Sequence, residues 1–373
     1  MRILVVNAGS ATVKLRVVEG DQVSSSLDLG PPDAGLDEQI GAFLDQAGPV
    51  DAVGHRVVHG GSLFSSATLI DDEMRVSLGQ MSELAPLHNP PALAAIDATR
   101  RMLPNVPSVA CFDTGFHSTL PSAASTYAVP SEWVTEWGLR RYGFHGLSCA
   151  WATRRADELM GVSDRPRRLV ICHLGGGASV TAVTGGHSVD TTMGFTPLEG
   201  LVMATRSGDV DPGALLWVLN HGTSALQLQE ALEHRSGLFG LSQGLSSDMR
   251  ELLAARTGGD ARAELAVAVY IHRLRAKVAA MAAAVGGPDA VIFTGGIGEH
   301  SPPIRSEACA TLSWMGVTLD PAANDRVGGT DTDTDISLPG ATVRVLVIHA
   351  REDLQIAREC RHLLQLRAED PAH

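Results

Sequence analysis

Two stretches of the sequence share one pattern: an apolar strand, a turn of small residues and a second strand. The first runs from RILVVN (2–7) through Asn7–Ser10 into ATVKLRVV (11–18), and the second from RLVICH (168–173) through Leu174–Ser179 into VTAV. Short apolar runs rich in β-branched residues predict buried strands. A repeat about 165 residues apart predicts a duplicated α/β domain, with the two turns facing each other across a cleft.

The turns of these hairpins carry groups that suit phosphate. In the first, Gly9, Ser10, Thr12 and Lys14 offer backbone amides, hydroxyls and one ammonium. The spacing is neither GxxxxGK[ST] nor GxGxxG before a helix, so taken alone it indicates an ordinary hairpin.

A third glycine turn follows the strand in DAVIFTGGIG (289–298). Backbone without side chains would let adenine and ribose lie close, whereas the alternative is a simple strand-to-helix connection. Three such turns after apolar strands favour a nucleotide-phosphate site.

Residues 191–213, TTMGFTPLEGLVMATRSGDVDPG, predict a long shaped loop, because glycines and prolines interrupt any regular helix or strand. Long loops inside compact domains are usually functional. Arg206 stands among small hydroxyl residues and glycines, ahead of Asp209 and Asp211. This pattern suits an anion-gripping site, and the alternative is a surface arginine on a polar turn.

Three further residues have two interpretations each. Arg56 lies in an apolar strand context, where an arginine is costly unless it is paired or binds a ligand. Asp113 follows an apolar strand, a usual place for a catalytic or metal-binding carboxylate, or else it caps the next helix. His145, between Phe144 and Gly146, is either functional or a satisfied core histidine.

The second half of the chain contains three predicted helices. SSDMREL (246–252) opens one with Ser247 or Asp248 as N-cap, and its Arg250 either reaches a nucleotide or sits on the exposed face. An Ala-rich helix covers 264–285, and a helix over 353–366 follows strand 342–348, with Glu352 in the link.

Composition bounds the class of protein. The 373 residues predict two domains, and the net charge of −13 argues against a nucleic-acid partner. Five cysteines without CxxC spacing fit a reduced cytoplasmic protein. No signal peptide is expected, and the Ala-rich helix carries three cations, so no membrane span is expected either.

These motifs, in this order, resemble the acetate kinase family of the actin/hexokinase/Hsp70-like superfamily. The resemblance covers nearly the whole chain through NAGSATVKL, GHRVVHGG, LAPLHNPP, FDTGFH, RRYGFHG, TMGFTPLEGLVMATRSGDVDPG and FTGGIGE. It implies two duplicated actin-like (ribonuclease H-like) α/β domains around a nucleotide cleft. The expected domains are 1–115 plus 353–373 on the carboxylate side, and 116–352 for nucleotide binding and the interface of a homodimer.

The resemblance also implies a role for each matching residue. Asn7 and Glu352 are implied as the Mg²⁺ (or Mn²⁺) positions, and Ser10, Thr12 and Lys14 as contacts of the ATP phosphates. The implied catalytic residues are Arg56, Asp113, His145 and Arg206. The implied substrate pocket consists of Arg56, Val58, Leu87, Phe144 and Pro197. The implied ATP segments are His173, Leu174, Gly175, Gly176, Gly177, Asp248, Met249, Arg250, Gly296, Ile297, Gly298, Glu299 and His300.

The implied reaction is reversible, in-line transfer of a phosphoryl group from ATP to acetate, giving ADP and acetyl phosphate. Such a transfer needs alignment and positive charge around the migrating oxygens. Acetate is already ionised at neutral pH, so Asp113 is better interpreted as a Mg²⁺ or positioning group than as a base. A propionate kinase is the close alternative, and a non-catalytic actin- or Hsp70-like nucleotide-binding protein is the alternative of another class.

Some positions depart from the family pattern on the nucleotide side. Gly176 and His300 stand where the family usually has asparagine, Gly146–Cys149 replaces GTSH, and the last motif reads His349-Ala-Arg-Glu-Asp353. Gly176 removes an amide that could donate to a phosphate oxygen. We therefore expect an altered nucleotide affinity or phosphoryl-donor preference with the acyl chemistry intact.

Overall fold

The computed structural model describes residues 1–9, 12–31, 35–81, 89–327 and 332–369. Its strands are β1 (Arg2–Ala8), β2 (Val13–Glu19), β3 (Gln22–Leu29), β4 (Ala52–Val57), β5 (Thr68–Leu69), β6 (Ser108–Phe112), β7 (Arg168–Leu174), β8 (Ala178–Thr184), β9 (His187–Thr191), β10 (Ala290–Thr294), β11 (Thr334–Asp335) and β12 (Arg344–Val347). Its α-helices are α1 (Leu36–Ala47), α2 (Asp72–Gln80), α3 (Asn89–Met102), α4 (Ser122–Ser125), α5 (Ser131–Trp137), α6 (Gly146–Met160), α7 (Pro212–Asn220), α8 (Ala225–His234), α9 (Gly237–Leu241), α10 (Met249–Thr257), α11 (Ala261–Ala284), α12 (Gly295–His300), α13 (Pro302–Cys309), α14 (Pro321–Val327) and α15 (Glu352–Glu369).

The chain divides into two compact units. Unit 1 comprises Met1–Ser118, Phe144–Trp151 and Arg351–His373, and unit 2 comprises Thr119–Gly143 and Ala152–Ala350. The sequence expectation assigns His145 to the second domain, whereas the structure groups its segment with unit 1. The difference arises because the amide of Gly146 donates to the carbonyl of Asp113, which is a contact between distant parts of the sequence.

The sheet of unit 1 has the strand order β3-β2-β1-β4-β6-β5. Its three central strands, β1, β4 and β6, run parallel, whereas β2 pairs antiparallel with β1, β3 with β2, and β5 with β6. The central strands are nearly continuous apolar runs because helices cover parallel strands on both faces. Strand β2 instead alternates buried and exposed positions.

The sheet of unit 2 repeats this order strand for strand, as β9-β8-β7-β10-β12-β11. Strands β7, β10 and β12 are the parallel centre, whereas β8 pairs antiparallel with β7, β9 with β8, and β11 with β12. The same arrangement of six strands in each half confirms the duplicated, actin-like α/β fold.

The C-terminal helix α15 packs on the sheet of unit 1. It contacts β1 and β4, where Gly54 allows a close approach. A Cβ atom on Gly54 would lie 2.6 Å from both Cys360 Sγ and Ile356 Cγ2 of this helix. The sequence placed Glu352 in the link before the helix, and the structure makes it the first helical residue.

The segment between β9 and α7 contains neither helix nor strand, which confirms the predicted loop. All five cysteines are buried and none of them forms a disulfide. Among the described residues, no helix combines the length and apolar character needed to cross a membrane.

Candidate active site

Arg56, near the carboxyl end of β4, is the centre of a charged cluster in unit 1. Its Nε and Nη2 donate to Oδ1 and Oδ2 of Asp113, at 3.1 and 2.5 Å. Nη1 donates to Asn7 Oδ1 at 3.3 Å, and Nε lies 3.5 Å from Glu352 Oε2. The side-chain Nδ2 of Asn7 also donates to Glu352 Oε2 at 3.1 Å. Four side chains from β1, β4, the end of β6 and α15 are thus bound together.

The parallel strand order explains this meeting. Strands β1, β4 and β6 are neighbours, so the residues at their carboxyl ends share one edge of the sheet. The carboxylate of Asp113 faces Arg56 in a two-point contact, an arrangement that the planar guanidinium favours. The side chain of Asp113 therefore serves as the anionic partner of Arg56.

The two buried partners titrate unusually. Burial raises the pKa of Asp113 to about 6; the charge of Glu352 adds to the rise, and Arg56 opposes it. Burial lowers the pKa of Arg56, but Asp113 and Glu352 raise it by more, so the net shift is upward. The cluster carries one cation and two carboxylates, which leaves one negative charge when all three are ionised.

This donor set suits a divalent cation. Asn7, Asp113 and Glu352 supply amide and carboxylate oxygens, the ligand type that Mg²⁺ prefers, and their net charge is negative. No group of three or more His, Cys, Asp or Glu within the described ranges has the arrangement of a metal site by itself. Asn7 and Glu352 therefore fit a metal ion held partly by the protein, which is the usual manner for Mg²⁺.

His145 stands next to this cluster through the backbone. It has a φ of +59°, a left-handed conformation that is strained for a residue with a side chain. The following amide, of Gly146, donates to the carbonyl of Asp113 at 2.9 Å. A Cβ at Gly146 would lie 2.1 Å from that carbonyl, so only glycine allows the contact. Such strain is characteristic of functional segments.

Phe144 is held by residues that the sequence analysis did not select. It is buried, its carbonyl contacts His117 Nε2 at 2.9 Å, and its ring meets the ring of His59 edge-on at 5.3 Å. Asn89 in turn exchanges hydrogen bonds with the backbone of His59. Neither histidine was selected from the sequence, because each lies in a motif that was assigned to Arg56 or to Asp113.

Val58 is buried in unit 1 as well. Pro197 is half-buried in unit 2. Leu87 lies outside the described residues, so the structure does not address its place in the substrate pocket.

The first hairpin places Lys14 beside Asn7. The two residues are directly paired across β1 and β2, so their side chains share one face of the sheet. Lys14 and Thr12 are both exposed, and the amide of Gly9 donates to the carbonyl of Thr12. Ser10 lies outside the described residues.

Arg206 lies in the loop of unit 2 and is half-buried. Its Nη1 donates to the carbonyl of Pro197 at 2.7 Å, and it forms no ion pair with any residue in the described ranges. Burial lowers the pKa of Arg206, although Glu233 partly offsets this. Arginine nevertheless stays protonated in proteins, so Arg206 is a cation that forms no ion pair within the described part of the chain.

The two carboxylates after Arg206 serve the loop instead. Asp209 pairs with Lys277 of α11 and accepts from the amide of Gly200. Asp211 caps α7 by accepting from the amide of Gly213. Both carboxylates therefore hold the shape of the loop without neutralising Arg206.

The second glycine turn adjoins this loop. The carbonyl of Gly176 accepts from the amide of Ala204, two residues before Arg206, and the amide of Gly175 donates to the carbonyl of Gly177. Nothing lies within 4 Å of the position that a Cβ on Gly176 would take. His173, the last residue but one of β7, lies opposite Ser179, while the side chain of Leu174 is in the core.

The Asp248 segment is a helix start. Asp248 is the N-cap of α10 and accepts from the amide of Arg250, which decides between the two caps considered. Arg250 pairs with Asp248, and its side chain is 89% exposed. The hydrogen bond from the side chain of Arg250 lowers the pKa of Asp248 to about 2. Met249 is buried.

The third glycine segment, Thr294 to His300, is a direct connection from β10 to helix α12, which is the alternative that the sequence left open, and it is fixed from within unit 2. Glu299 is buried and its Oε1 accepts from the amides of Gly295 and Ala350, at 2.7 and 2.9 Å. A Cβ on Gly296 would meet nothing within 4 Å. His300 is half-exposed, and its ring centroid is 6.2 Å from that of His349. Ile297 is half-buried, and Gly298 is buried.

Arg305 is a residue that sequence reasoning missed. It is completely buried, and its Nη1 donates to the carbonyls of Gly298 and Glu299, at 2.8 and 2.7 Å. Its Nε donates to Asn324 Oδ1 at 2.7 Å. The sequence offered only the presence of an arginine, which does not indicate that the side chain is buried. It holds the end of the third turn in place.

The sequence and the fold of this chain are both similar to those of known proteins. An acetate kinase from Synechococcus sp. (strain JA-2-3B'a(2-13)) is 50% identical over 337 residues, which are 90% of this chain and 82% of that one. The crystal structure of Porphyromonas gingivalis acetate kinase matches with a TM-score of 0.89 and 36% identity, covering 97% and 99% of the two chains. A propionate kinase from Francisella tularensis matches with a TM-score of 0.88 and 34% identity, covering 96% and 98%.

Fold and comparisons together define a phosphotransferase whose acceptor is a carboxyl group. The chain belongs to the Acetokinase family, which it matches over residues 35–358.

Proposed function

We propose that the protein is an acetate kinase, which transfers the γ-phosphoryl group of ATP directly and reversibly to acetate, giving acetyl phosphate and ADP. The observation that carries this proposal is Arg206, a desolvated guanidinium without an ion-pair partner among the described residues. A migrating phosphoryl group carries negative charge on three oxygens, and a preorganised cation stabilises that charge. A planar guanidinium also matches carboxylate and phosphate in two-point contacts.

In unit 1, Arg56 holds the acceptor carboxylate or the phosphoryl group, and Asp113 orients Arg56. Its second partner is Glu352, so the guanidinium is fixed before substrate arrives. Preorganisation of this kind lowers the cost of aligning the reactants. His145 stabilises charge in the transition state from its strained position beside Asp113.

Asn7 and Glu352 would hold Mg²⁺ with substrate phosphates, and the ion would neutralise phosphate charge when bound. Lys14, on the same face as Asn7, contacts the same phosphates, together with Ser10 and Thr12. Acetate needs no proton removed, so the residues around Arg56 have a positioning role.

Nucleotide binding belongs to unit 2 in this proposal. Its segments are His173 to Gly177, Asp248 to Arg250, and Gly296 to His300, with Leu174 and Met249 contributing through their backbone. The open space at Gly176 and Gly296 supports close approach of phosphate and adenosine. Arg305 and Glu299 hold the backbone of the third segment in place.

The methyl group of acetate contacts Val58 and Phe144, which are both buried in unit 1. One methylene in an apolar pocket changes binding by only about 1–3 kcal/mol, so propionate is the second candidate substrate. The structural similarity to a propionate kinase supports propionate as the second candidate.

The active protein is a homodimer through unit 2. Helices α7 and α8 bury none of their residues within the chain. Leu216, Trp217 and Leu226 are 62%, 61% and 76% exposed. Exposed apolar patches of this kind mark interfaces, and light scattering should return twice the mass of the chain.

Trapping the acyl phosphate as its hydroxamate tests the proposed function. Purified protein with MgATP should convert acetate fastest, propionate more slowly and butyrate least. Product formed from propionate in preference to acetate would select the second candidate. No hydroxamate from any of the three acids would instead support a non-catalytic nucleotide-binding protein.

A further inference from the structure

A cavity lies in unit 1, and none of the residues proposed for catalysis lines it. It encloses about 500 Å³ between helix α15, helix α6 and the chain around residues 65–67. None of its lining residues belongs to the Arg56 cluster or to the proposed substrate pocket. Its floor is nevertheless formed by Phe112 and Gly146, the direct neighbours of Asp113 and His145.

Most of the wall is apolar. Phe112 and Phe116 line one side, and Ala150 and Leu363 line the others. The ring of Phe112 is stacked on that of Phe64, with the two ring centroids 5.5 Å apart. A cavity of this volume and character suits a small organic molecule.

One carboxylate enters the cavity. Glu359 of α15 is half-buried, and its Oε1 accepts from Gln355 Nε2 at 3.0 Å. It forms no ion pair with any residue that the structure describes, and the exposed His362 is the other titratable side chain of the lining. Burial raises the pKa of Glu359, hydrogen bonds from Gln355 and Cys111 partly oppose this, and the negative charge of Asp113 adds to the rise.

A desolvated carboxylate without a cation is costly, and a bound cation relieves that cost. The apolar walls would meanwhile cover a hydrocarbon body. We propose that this cavity binds a small organic cation, an ammonium or guanidinium group on an apolar body, with Glu359 as its anionic partner.

Calorimetry on the full-length protein tests the site with 2-phenylethylamine as probe and 2-phenylethanol as its uncharged analogue. The amine should bind at least about tenfold more tightly than the alcohol, because hydrogen bonds to charged groups are the stronger ones. Glu359→Gln should remove that advantage, while Glu369→Gln, an exposed glutamate on the same helix, should leave it unchanged.

A second variant guards against a folding effect of Glu359→Gln. Ala150→Phe fills the cavity without touching the charge, and it should weaken binding of both the amine and the alcohol. Thermal unfolding of each variant shows that it is folded. Equal affinity for amine and alcohol, undiminished amine binding by Glu359→Gln, or no measurable amine binding at millimolar concentration would each overturn the proposal.

Discussion

Two arginines that the sequence treats alike stand in opposite electrostatic settings. Arg56 in unit 1 is held by two carboxylates and an amide, whereas Arg206 in unit 2 has one carbonyl and no ion pair among the described residues. Burial acts on both, yet the pKa of Arg56 is raised and that of Arg206 is lowered.

The difference teaches that the two cations do different work. The two carboxylates already more than neutralise the charge of Arg56, so Arg56 acts by holding groups in position. Loss of the arginine would leave buried carboxylates without a cation. The charge of Arg206 is available, so its contribution is attraction for an incoming anion. Stability and activity should therefore respond differently to the two positions.

The largest expected effect is on stability at Arg56. Arg56→Gln leaves Asp113 and Glu352 without their cation, and removing one partner of a buried pair costs about 3–5 kcal/mol. Urea unfolding should show this loss, along with lost activity. In contrast, Arg206→Gln should unfold at or above the wild-type midpoint. Similar losses of stability in both variants would remove the distinction.

The next effect is on turnover at Arg206. Arg206→Lys keeps the charge but loses the planar fork, and kcat should fall by about 10²–10³-fold, the scale of losing one preorganised donor. Arg262→Lys is the matched control, because Arg262 is an exposed arginine paired with Asp260. Near-wild-type turnover in Arg206→Lys would count against the clamp.

A pH profile addresses the Arg56 cluster alone. The pKa of Asp113 is about 6, above its ordinary value of 3.8, so the carboxylate is ionised above pH 6 and becomes protonated below it. Activity should fall about tenfold per pH unit below 6 as the contact with Arg56 is lost. Asp113→Asn should be slow at every pH and should lack this acid limb. An unchanged limb in that variant would assign it to another group.

The smallest effect is expected at Gly176, beside the Arg206 loop. Gly176→Asn has open space for its side chain and adds one amide donor near the proposed phosphates. One hydrogen bond is worth about 0.5–1.5 kcal/mol, so the KM for ATP should change about 2- to 10-fold with the KM for acetate unchanged. Equal kcat/KM with ATP for both proteins would contradict this.

The sequence was sufficient for features that depend on local pattern. Apolar runs predicted β1, β7 and β10, the repeated hairpin predicted the duplicated sheet, and glycines and prolines predicted the loop before α7. These features follow from residues close in sequence, so composition and spacing determine them.

Contacts between distant residues could not be predicted in the same way. The bond between Asn7 and Glu352 joins residues 345 apart, and it depends on how α15 returns to the sheet. The left-handed backbone of His145 depends on its neighbour's bond to Asp113. Asp209 lies three residues after Arg206 in the sequence, yet it pairs with Lys277 of α11, which is 68 residues further along the chain.

Binding of acetyl phosphate, measured by calorimetry without nucleotide, tests the role of Arg206 most directly, since this ligand presents both the acyl and the phosphoryl group. Arg206→Gln should bind it at least about tenfold more weakly than wild type, while Arg262→Gln should bind it normally. Wild-type affinity in Arg206→Gln would contradict the account.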